Sequence, residues 1–220
     1  MRHAATLAAL LLPVPALALR PGDIAFVGYN VDGNDDLAFV VLQTMVSETL
    51  YLTDDESDGA GGLTSGEGTF AWSSGPDPLL AGTIVTLHDL ATPTPTASRG
   101  TLIEVDLGFN LAAAGDGVLA FQGPDPRTPS VFLAGIENGA GFAGPLTSTG
   151  LVAGLTFLNC SRLSHDDGCA YDGPREGVSS FSGFRQHIHD PANWRTETSD
   201  GTLLLPFSEE PFRTLLPVPT

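Results

Sequence analysis

The feature that most limits the fold of this chain is a short stretch near its amino end, GDIAFVGYNVDGNDDLAFVVL at residues 22–42. Apolar and aromatic residues such as Ile24 and Phe26 lead into a cluster of Asp, Asn and Gly at 30–36, and apolar residues return at 37–42. Aromatic and β-branched runs favour strands, whereas Asp, Asn and Gly favour tight turns. The stretch therefore predicts a β-hairpin whose turn carries negative charge.

Similar runs recur along the chain at short intervals and are bounded by Gly, Pro, Asp or Ser. The clearest are residues 49–53, 68–73, 83–88, 101–106, 117–122, 131–135 and 155–158. The chain has 26 Gly and 17 Pro in 220 residues, and only 16% of its residues are charged. This composition suits short strands and tight turns better than long helices, and regular short strands predict an all-β sandwich or barrel.

One segment departs from the strand pattern. Phe184 and Ile188 are four residues apart and Pro191 follows them, which predicts one short surface helix near residues 183–190.

The amino end has the features of a secretory signal peptide at residues 1–18. Arg2 supplies a basic start, residues 7–12 an apolar core, and residues 16–18 a small-residue cleavage site. The apolar run is shorter than the roughly 20 residues that cross a bilayer, so we expect cleavage near Leu19 and no membrane insertion. The protein is then secreted or extracellular, with periplasmic and cell-surface locations both open.

The rest of the chain is long enough for one domain with a sizeable core. We expect a β-sandwich domain over residues 19–195. Residues 196–220 are expected to form a C-terminal edge strand, at 203–207, and a Pro-rich tail.

Charge excludes some classes of partner. The chain has 26 Asp and Glu against 9 basic residues, all of them arginine, and a formal net charge of -17. Such a surface repels phosphate backbones and anionic lipid, so nucleic-acid binding is not expected. Cations are its natural counter-species.

The two cysteines, Cys160 and Cys169, are separated by a short polar loop, and in an exported protein they predict a disulfide. Closing so short a loop is expected to pin the loop itself rather than the fold. Asn159 begins an N-glycosylation sequon, Asn159-Cys160-Ser161, which a eukaryotic host would use if it is accessible.

Two acidic clusters are candidate calcium sites, because calcium prefers six to eight oxygen ligands. Neither cluster is an EF-hand, since Leu37 replaces the required glycine in the first and Ser65 the final glutamate in the second. Asp and Asn also start turns by bonding their own backbone, so charged turns are the alternative. The candidate ligands are Asp32, Asn34, Asp35, Asp36, Asp54, Asp55 and Asp58.

Several short motifs follow one another in a fixed order over residues 22–195. They are Gly22-Asp23-Ile24, the turn at 32–36, Tyr51-Leu52-Thr53-Asp54, Gly66-Glu67-Gly68-Thr69 with Trp72, Ala81-Gly82-Thr83, Gly115-Asp116, Ala120-Phe121-Gln122-Gly123 and Pro191-Ala192-Asn193-Trp194. Together they resemble the lamin-tail domain as it occurs in secreted, mostly bacterial proteins. The resemblance implies an immunoglobulin-like β-sandwich, and it implies no assigned catalytic role.

The expected function is a secreted, non-catalytic interaction or surface module, with an extracellular protein or glycan as partner and calcium as its only expected cofactor. One alternative is a secreted hydrolase that uses acidic carboxylates. Its candidates are Glu67 together with Glu104 and Asp106, and the last two share a strand face. Another is an acidic structural protein of an extracellular matrix or mineral layer. No Gly-x-Ser-x-Gly nucleophile motif occurs.

Overall fold

The computed structural model describes residues 18–161 and 166–215. Almost all of the predicted signal peptide lies outside these residues. The elements are β1 Ile24–Asn30, β2 Asp36–Val41, β3 Thr49–Thr53, β4 Thr69–Ser73, β5 Ile84–His88, β6 Thr96–Ala97, β7 Thr101–Asp106, β8 Gly117–Gln122, β9 Val131–Glu137, β10 Phe157–Asn159, β11 Gly168–Tyr171, α1 Phe184–Ile188 and β12 Trp194–Glu197. Short 3-10 helices span Phe181–Gly183, Pro191–Asn193 and Gly201–Leu204.

The strands form two six-stranded sheets that pack face to face. Their orders are β12-β11-β1-β2-β5-β6 in the first sheet and β10-β9-β8-β3-β4-β7 in the second. Neighbouring described strands pair antiparallel, except β10 with β9. The prediction of an all-β sandwich is confirmed, and the hairpin predicted at residues 22–42 is the pair β1–β2.

The core lies between the sheets and is centred on Trp72, which is fully buried. Its ring meets Phe39 of the first sheet edge-on, with ring centroids 5.1 Å apart. The indole N–H donates to the carbonyl of Arg99 at 2.8 Å, so the polar end of this side chain is also satisfied.

The outer face of the first sheet is covered by the C-terminal tail, residues 205–215. Phe207 is 5% exposed and lies directly on Gly28, where an added Cβ would be 2.7 Å from the phenylalanine ring. Phe212 is 2% exposed, and its N–H donates to the carbonyl of Gly82 at 2.9 Å. The tail is thus part of the folded domain.

The prediction of an edge strand at residues 203–207 is wrong. Asp200 caps a 3-10 helix over Gly201–Leu204 by accepting the N–H of Thr202, and Pro206 has no N–H to give to a strand ladder. The two edge strands of the first sheet are β12 and β6.

The short helix is confirmed, as α1 preceded by a 3-10 turn. Its two apolar residues, Phe184 and Ile188, are fully buried, and Phe184 packs edge-on against Phe212 with ring centroids 4.9 Å apart. Within residues 18–161 and 166–215, no helix has both the length and the apolar character needed to cross a bilayer.

The disulfide Cys160–Cys169 is formed. Cys160 follows β10 of the second sheet, and Cys169 lies in β11 of the first, so the bond joins the two sheets, contrary to the expectation that it would only pin its loop. On the opposite side, residues 98–100 carry the chain directly from β6 to β7, and hence from one sheet to the other. Both sides of the sandwich are therefore joined covalently.

Replacing Phe207 with alanine tests the role of the tail. We expect Phe207→Ala to lower the free energy of unfolding by about 3–5 kcal/mol, because it empties a buried aromatic site. Leu203→Ala is the control, since Leu203 is in the same segment but 66% exposed, and it should change stability by less than about 0.5 kcal/mol. Urea unfolding gives both values, and equal stability of the two variants would show that the tail does not stabilise the domain.

Candidate functional site

One loop binds carboxylates from both sheets through its backbone amides. Residues 109–112 follow β7, and the amides of residues 110–112 meet Asp35 from the turn before β2, Asp54 from the end of β3, and Asp116 from the turn before β8. The bonds are Asn110 N to Asp54 Oδ2 at 2.8 Å, Leu111 N to Asp35 Oδ2 at 2.7 Å and Ala112 N to Asp116 Oδ2 at 2.8 Å. We call this loop with its three carboxylates the amide clasp.

Buried side chains hold the loop of the amide clasp in place. Phe109 and Leu111 are 4% and 3% exposed, and Phe109 packs edge-on against Phe70 with centroids 5.0 Å apart. Asp35 contributes from a left-handed backbone conformation, with φ at 56°, which Asp adopts more readily than most residues. The amides therefore face the carboxylates without further ordering of the loop.

Neutral donors also satisfy the remaining oxygens of two of these carboxylates. Asp54 Oδ1 accepts the N–H of Gly68 at 2.7 Å, and Asp116 Oδ1 accepts the N–H of Gly117 at 2.7 Å. Burial nevertheless raises the pKa of Asp35 and of Asp54 to about 7, and it also raises the pKa of Asp116. The amide bonds oppose this shift, while neighbouring acidic charges add to it.

Two buried oxygens near the amide clasp have no hydrogen-bond partner, Tyr29 Oη and Glu67 Oε2. Burial, followed by the charges of Asp116, Asp35 and Asp54, raises the pKa of Tyr29 well above its usual value. Burial, followed by the charges of Asp54 and Asp116, raises the pKa of Glu67 to about 7. This end of the sandwich therefore has a surplus of acidic groups.

The structure brings only part of the predicted calcium set together. Asp35 and Asp54 meet at the amide clasp, and the other five candidates point to separate local partners. Asp32 accepts from Gly201 N at 2.7 Å, Asn34 donates to Asp89 at 2.9 Å, Asp36 pairs with His88 at 3.0 Å, Asp55 accepts from Glu67 N at 3.1 Å, and Asp58 accepts from Ala60 N at 2.7 Å and Gly62 N at 2.9 Å. Across the described residues, no three His, Cys, Asp or Glu side chains are arranged to hold a metal ion.

A second polar feature, not predicted from the sequence, connects the acidic turn to the tail. His88 Nδ1 lies 3.0 Å from Asp36 Oδ1, and His88 Nε2 lies 3.0 Å from Thr86 Oγ1. Thr86 in turn donates its only hydroxyl hydrogen to Glu209 Oε1 at 2.9 Å. We call these four residues the histidine relay.

The histidine relay has the residue types of a nucleophile, base and acid, but its hydrogen bonds run the wrong way for catalysis. A nucleophilic hydroxyl must donate to the histidine, whereas Thr86 donates to Glu209 and is only 1% exposed. The relay instead fastens the tail to β5. The only sequence signal for the histidine relay is that Thr86 and His88 are two residues apart, which places them on the same face of a strand.

Two of the three carboxylates suggested for a hydrolase are engaged locally. Glu104 accepts the N–H of Gly108 at 3.0 Å, and Asp106 forms an ion pair with Arg127. Asn159, the predicted glycosylation site, ends β10 and is half-buried, and its side-chain oxygen accepts the N–H of Ser161 at 3.1 Å.

Comparison with known proteins finds no matching family model, no similar curated protein and no similar solved structure.

The pH dependence of stability tests the electrostatics of the amide clasp. Between pH 3.8 and about 7, Asp35 binds its proton more tightly in the folded state than in the unfolded state. Its contribution to stability is therefore present below about pH 4 and is lost as the pH rises through 7. Asp35→Asn keeps an oxygen for Leu111 N and removes the charge, so we expect it to be more stable than wild type by a margin that grows from pH 5 to pH 8.

The expected gain at pH 8 is at least about 1 kcal/mol, since each pKa unit is worth about 1.4 kcal/mol. Asp58→Asn is the control, because amide bonds lower the pKa of this exposed group and the sign is opposite. Denaturant unfolding at both pH values provides the comparison. An Asp35→Asn variant that shows the same difference from wild type at pH 5 and pH 8 would contradict a buried charge at Asp35.

Proposed function

We propose that this protein is a secreted, non-catalytic module that binds an extracellular protein or glycan through the uncovered part of its second sheet. A single observation carries the proposal: a contiguous set of apolar side chains on that sheet is left open to solvent.

A row of outward-facing residues crosses five neighbouring strands of the second sheet. At one end of the row, the segment 138–157 covers the aromatic residues and forms a small second core with them. At the other end, on β7, Ile103 is 63% exposed and Val105 is 44% exposed, and Leu107 just after it is 80% exposed. The row consists of Phe132, Phe121, Tyr51, Ala71 and Ile103.

We call Ile103, Val105 and Leu107, with the half-buried Ala71 beside them, the open face. Single exposed apolar residues are ordinary on protein surfaces, but a contiguous patch marks an interaction surface more often. The outer face of the first sheet makes a useful contrast, because the chain covers it with its own tail. The open face is thus an exception within a chain that otherwise covers its sheets and carries a net charge of -17.

The remaining parts of the proposal have separate support. The signal-like residues 1–18 and the disulfide fit an oxidising, extracellular location. The resemblance to the lamin-tail domain supports a binding role rather than a catalytic one.

A binding screen of the mature domain against glycans and extracellular proteins tests the open face. We expect the double variant Ile103→Ser, Val105→Ser to bind any partner at least about tenfold more weakly than wild type, since it removes two apolar contacts. Leu203→Ser removes an equally exposed apolar side chain, 66% against 63%, elsewhere on the surface, and should bind as wild type. Partners that bind both variants and wild type alike would contradict a role for the open face.

Calcium stabilisation of the acidic loops is a second proposal. The partnerless oxygens of Tyr29 and Glu67, beside carboxylates bonded only to neutral amides, support it, because a divalent cation would offset the surplus charge there. The carboxylates of Asp35 and Asp54 would have to share their oxygens between the amides and the ion.

Thermal unfolding in calcium and in chelator tests this second proposal. A bound ion stabilises only the folded state, so millimolar calcium should raise Tm if it binds, and magnesium at equal ionic strength is the control. Glu67→Gln should reduce the calcium response, because it removes the charge of a carboxylate whose Oε2 accepts no hydrogen bond, whereas both oxygens of Asp54 accept bonds from amides. Equal Tm values in calcium, magnesium and chelator would exclude the cation.

A further inference from the structure

We propose that two copies of this chain pair antiparallel through the free edge of β7, in the register that places Ile103 opposite Ile103. The pairing would join two second sheets into one twelve-stranded sheet. It goes beyond the proposed binding function, since it uses the edge of the sheet and a second copy of the chain rather than a different partner.

The edge at β7 is the longest of the four described sheet edges, and a bulge opposite the Thr69/Phe70 step of β4 interrupts it only near its carboxyl end, at Val105. Proteins usually shield such edges with short strands, Pro, Lys or bulges. Among the described strands, β7 pairs only with β4 and has six residues, whereas the other three edge strands have two, three and four. Its sequence, TLIEVD, contains no Pro, Gly, Lys or Arg.

The side chains of β7 alternate in a way that leaves its apolar residues outside. Leu102 and Glu104 lie opposite Trp72 and Phe70 of β4, which are buried, so these two residues face inward. Ile103 lies opposite Ala71 on the outer face. A second β7 would therefore add its own Ile103 and Val105 to the apolar row.

Charge selects one register from those that are geometrically allowed. A twofold axis perpendicular to the sheet pairs residues that share a face, and only an axis at Ile103 or Glu104 pairs five of the six residues of β7. Centring on Glu104 places two glutamates opposite each other. Like charges in directly opposed positions are destabilising.

Centring on Ile103 avoids every such pair. Glu104 then lies opposite Leu102, and Thr101 lies opposite Val105. The apolar row of one copy continues through the two Ile103 side chains into the row of the other. The covered aromatic residues of the two copies then lie at the two outer ends of the joined row. The two acids of β7 also have partners within their own copy, Glu104 in the amides of Gly108 and Phe109, and Asp106 in Arg127.

The net charge of -17 on each copy opposes the association at long range. Salt screens this repulsion over about 8 Å at physiological ionic strength. We therefore expect the dimer to be weak at low salt and favoured by added salt, the reverse of a dimer held by ion pairs.

Cysteine crosslinking tests the register. Both native cysteines are in the disulfide, so an introduced cysteine is the one free thiol of the folded chain. We expect Ile103→Cys to give a disulfide-linked dimer on mild oxidation, since residue 103 meets its own copy. Val105→Cys should stay monomeric because it lies opposite Thr101, and Leu203→Cys is the control for an exposed thiol, with 66% exposure against 63%.

Sedimentation equilibrium of the wild-type protein at rising salt provides the independent measurement. We expect a monomer–dimer equilibrium that shifts toward dimer with salt, and an increase of at least about tenfold in the dimer dissociation constant for Ile103→Glu, which opposes two carboxylates. Unchanged Tm of Ile103→Glu would show that its effect is on association and not on folding.

Two results would overturn the pairing: a wild-type protein that is monomeric at every salt and concentration, or equal crosslinking by Ile103→Cys and Leu203→Cys. Crosslinking by Val105→Cys in place of Ile103→Cys would overturn the register. A monomeric protein whose open face still binds a glycan or an extracellular protein would refute the pairing and leave the proposed function intact.

Discussion

The amide clasp is the interaction on which the acidic end of this protein depends. Three successive N–H groups of one loop hold a carboxylate from the first sheet and two from the second. Burial is the main reason that the pKa values of Asp35 and Asp54 are raised to about 7, and the bonds from the backbone amides offset this effect only in part. The carboxylates that hold these loops together thus lie in surroundings that disfavour their charged form.

Patterns local in the chain were predictable, and contacts between distant segments were not. The hairpin at residues 22–42 and the helix at Phe184–Ile188 depend on neighbours within a few residues, and the structure bears them out. The acidic residues were visible as clusters, but their partners are amides 56 and 76 residues away. Amides have no sequence signature, so carboxylates that bind them resemble carboxylates that await a metal.

The strand β7 illustrates a different limit. Alternation alone indicates two faces but does not say which one is inside, and Glu104 and Asp106 were natural candidates for the solvent side. The ladder with β4 decides the matter, because Trp72 and Phe70 must face the core and the residues opposite them follow. Glu104 therefore faces inward, where the amides of Gly108 and Phe109 bind it, and Ile103 faces outward. Beyond the bulge at Val105, Asp106 lies opposite Thr69. A reversed alternation of this kind is a sign that the outer face is used.

The small residues beneath the tail have a consequence for proteolysis. Gly28, Ala38 and Ala170 lie side by side on three adjacent strands, and Phe207 lies directly on Gly28. Cleavage after Leu204 would separate the tail from the chain and remove Phe207 from this part of the sheet. The clipped domain would then expose these small residues of the first sheet, on the opposite side of the molecule from the open face.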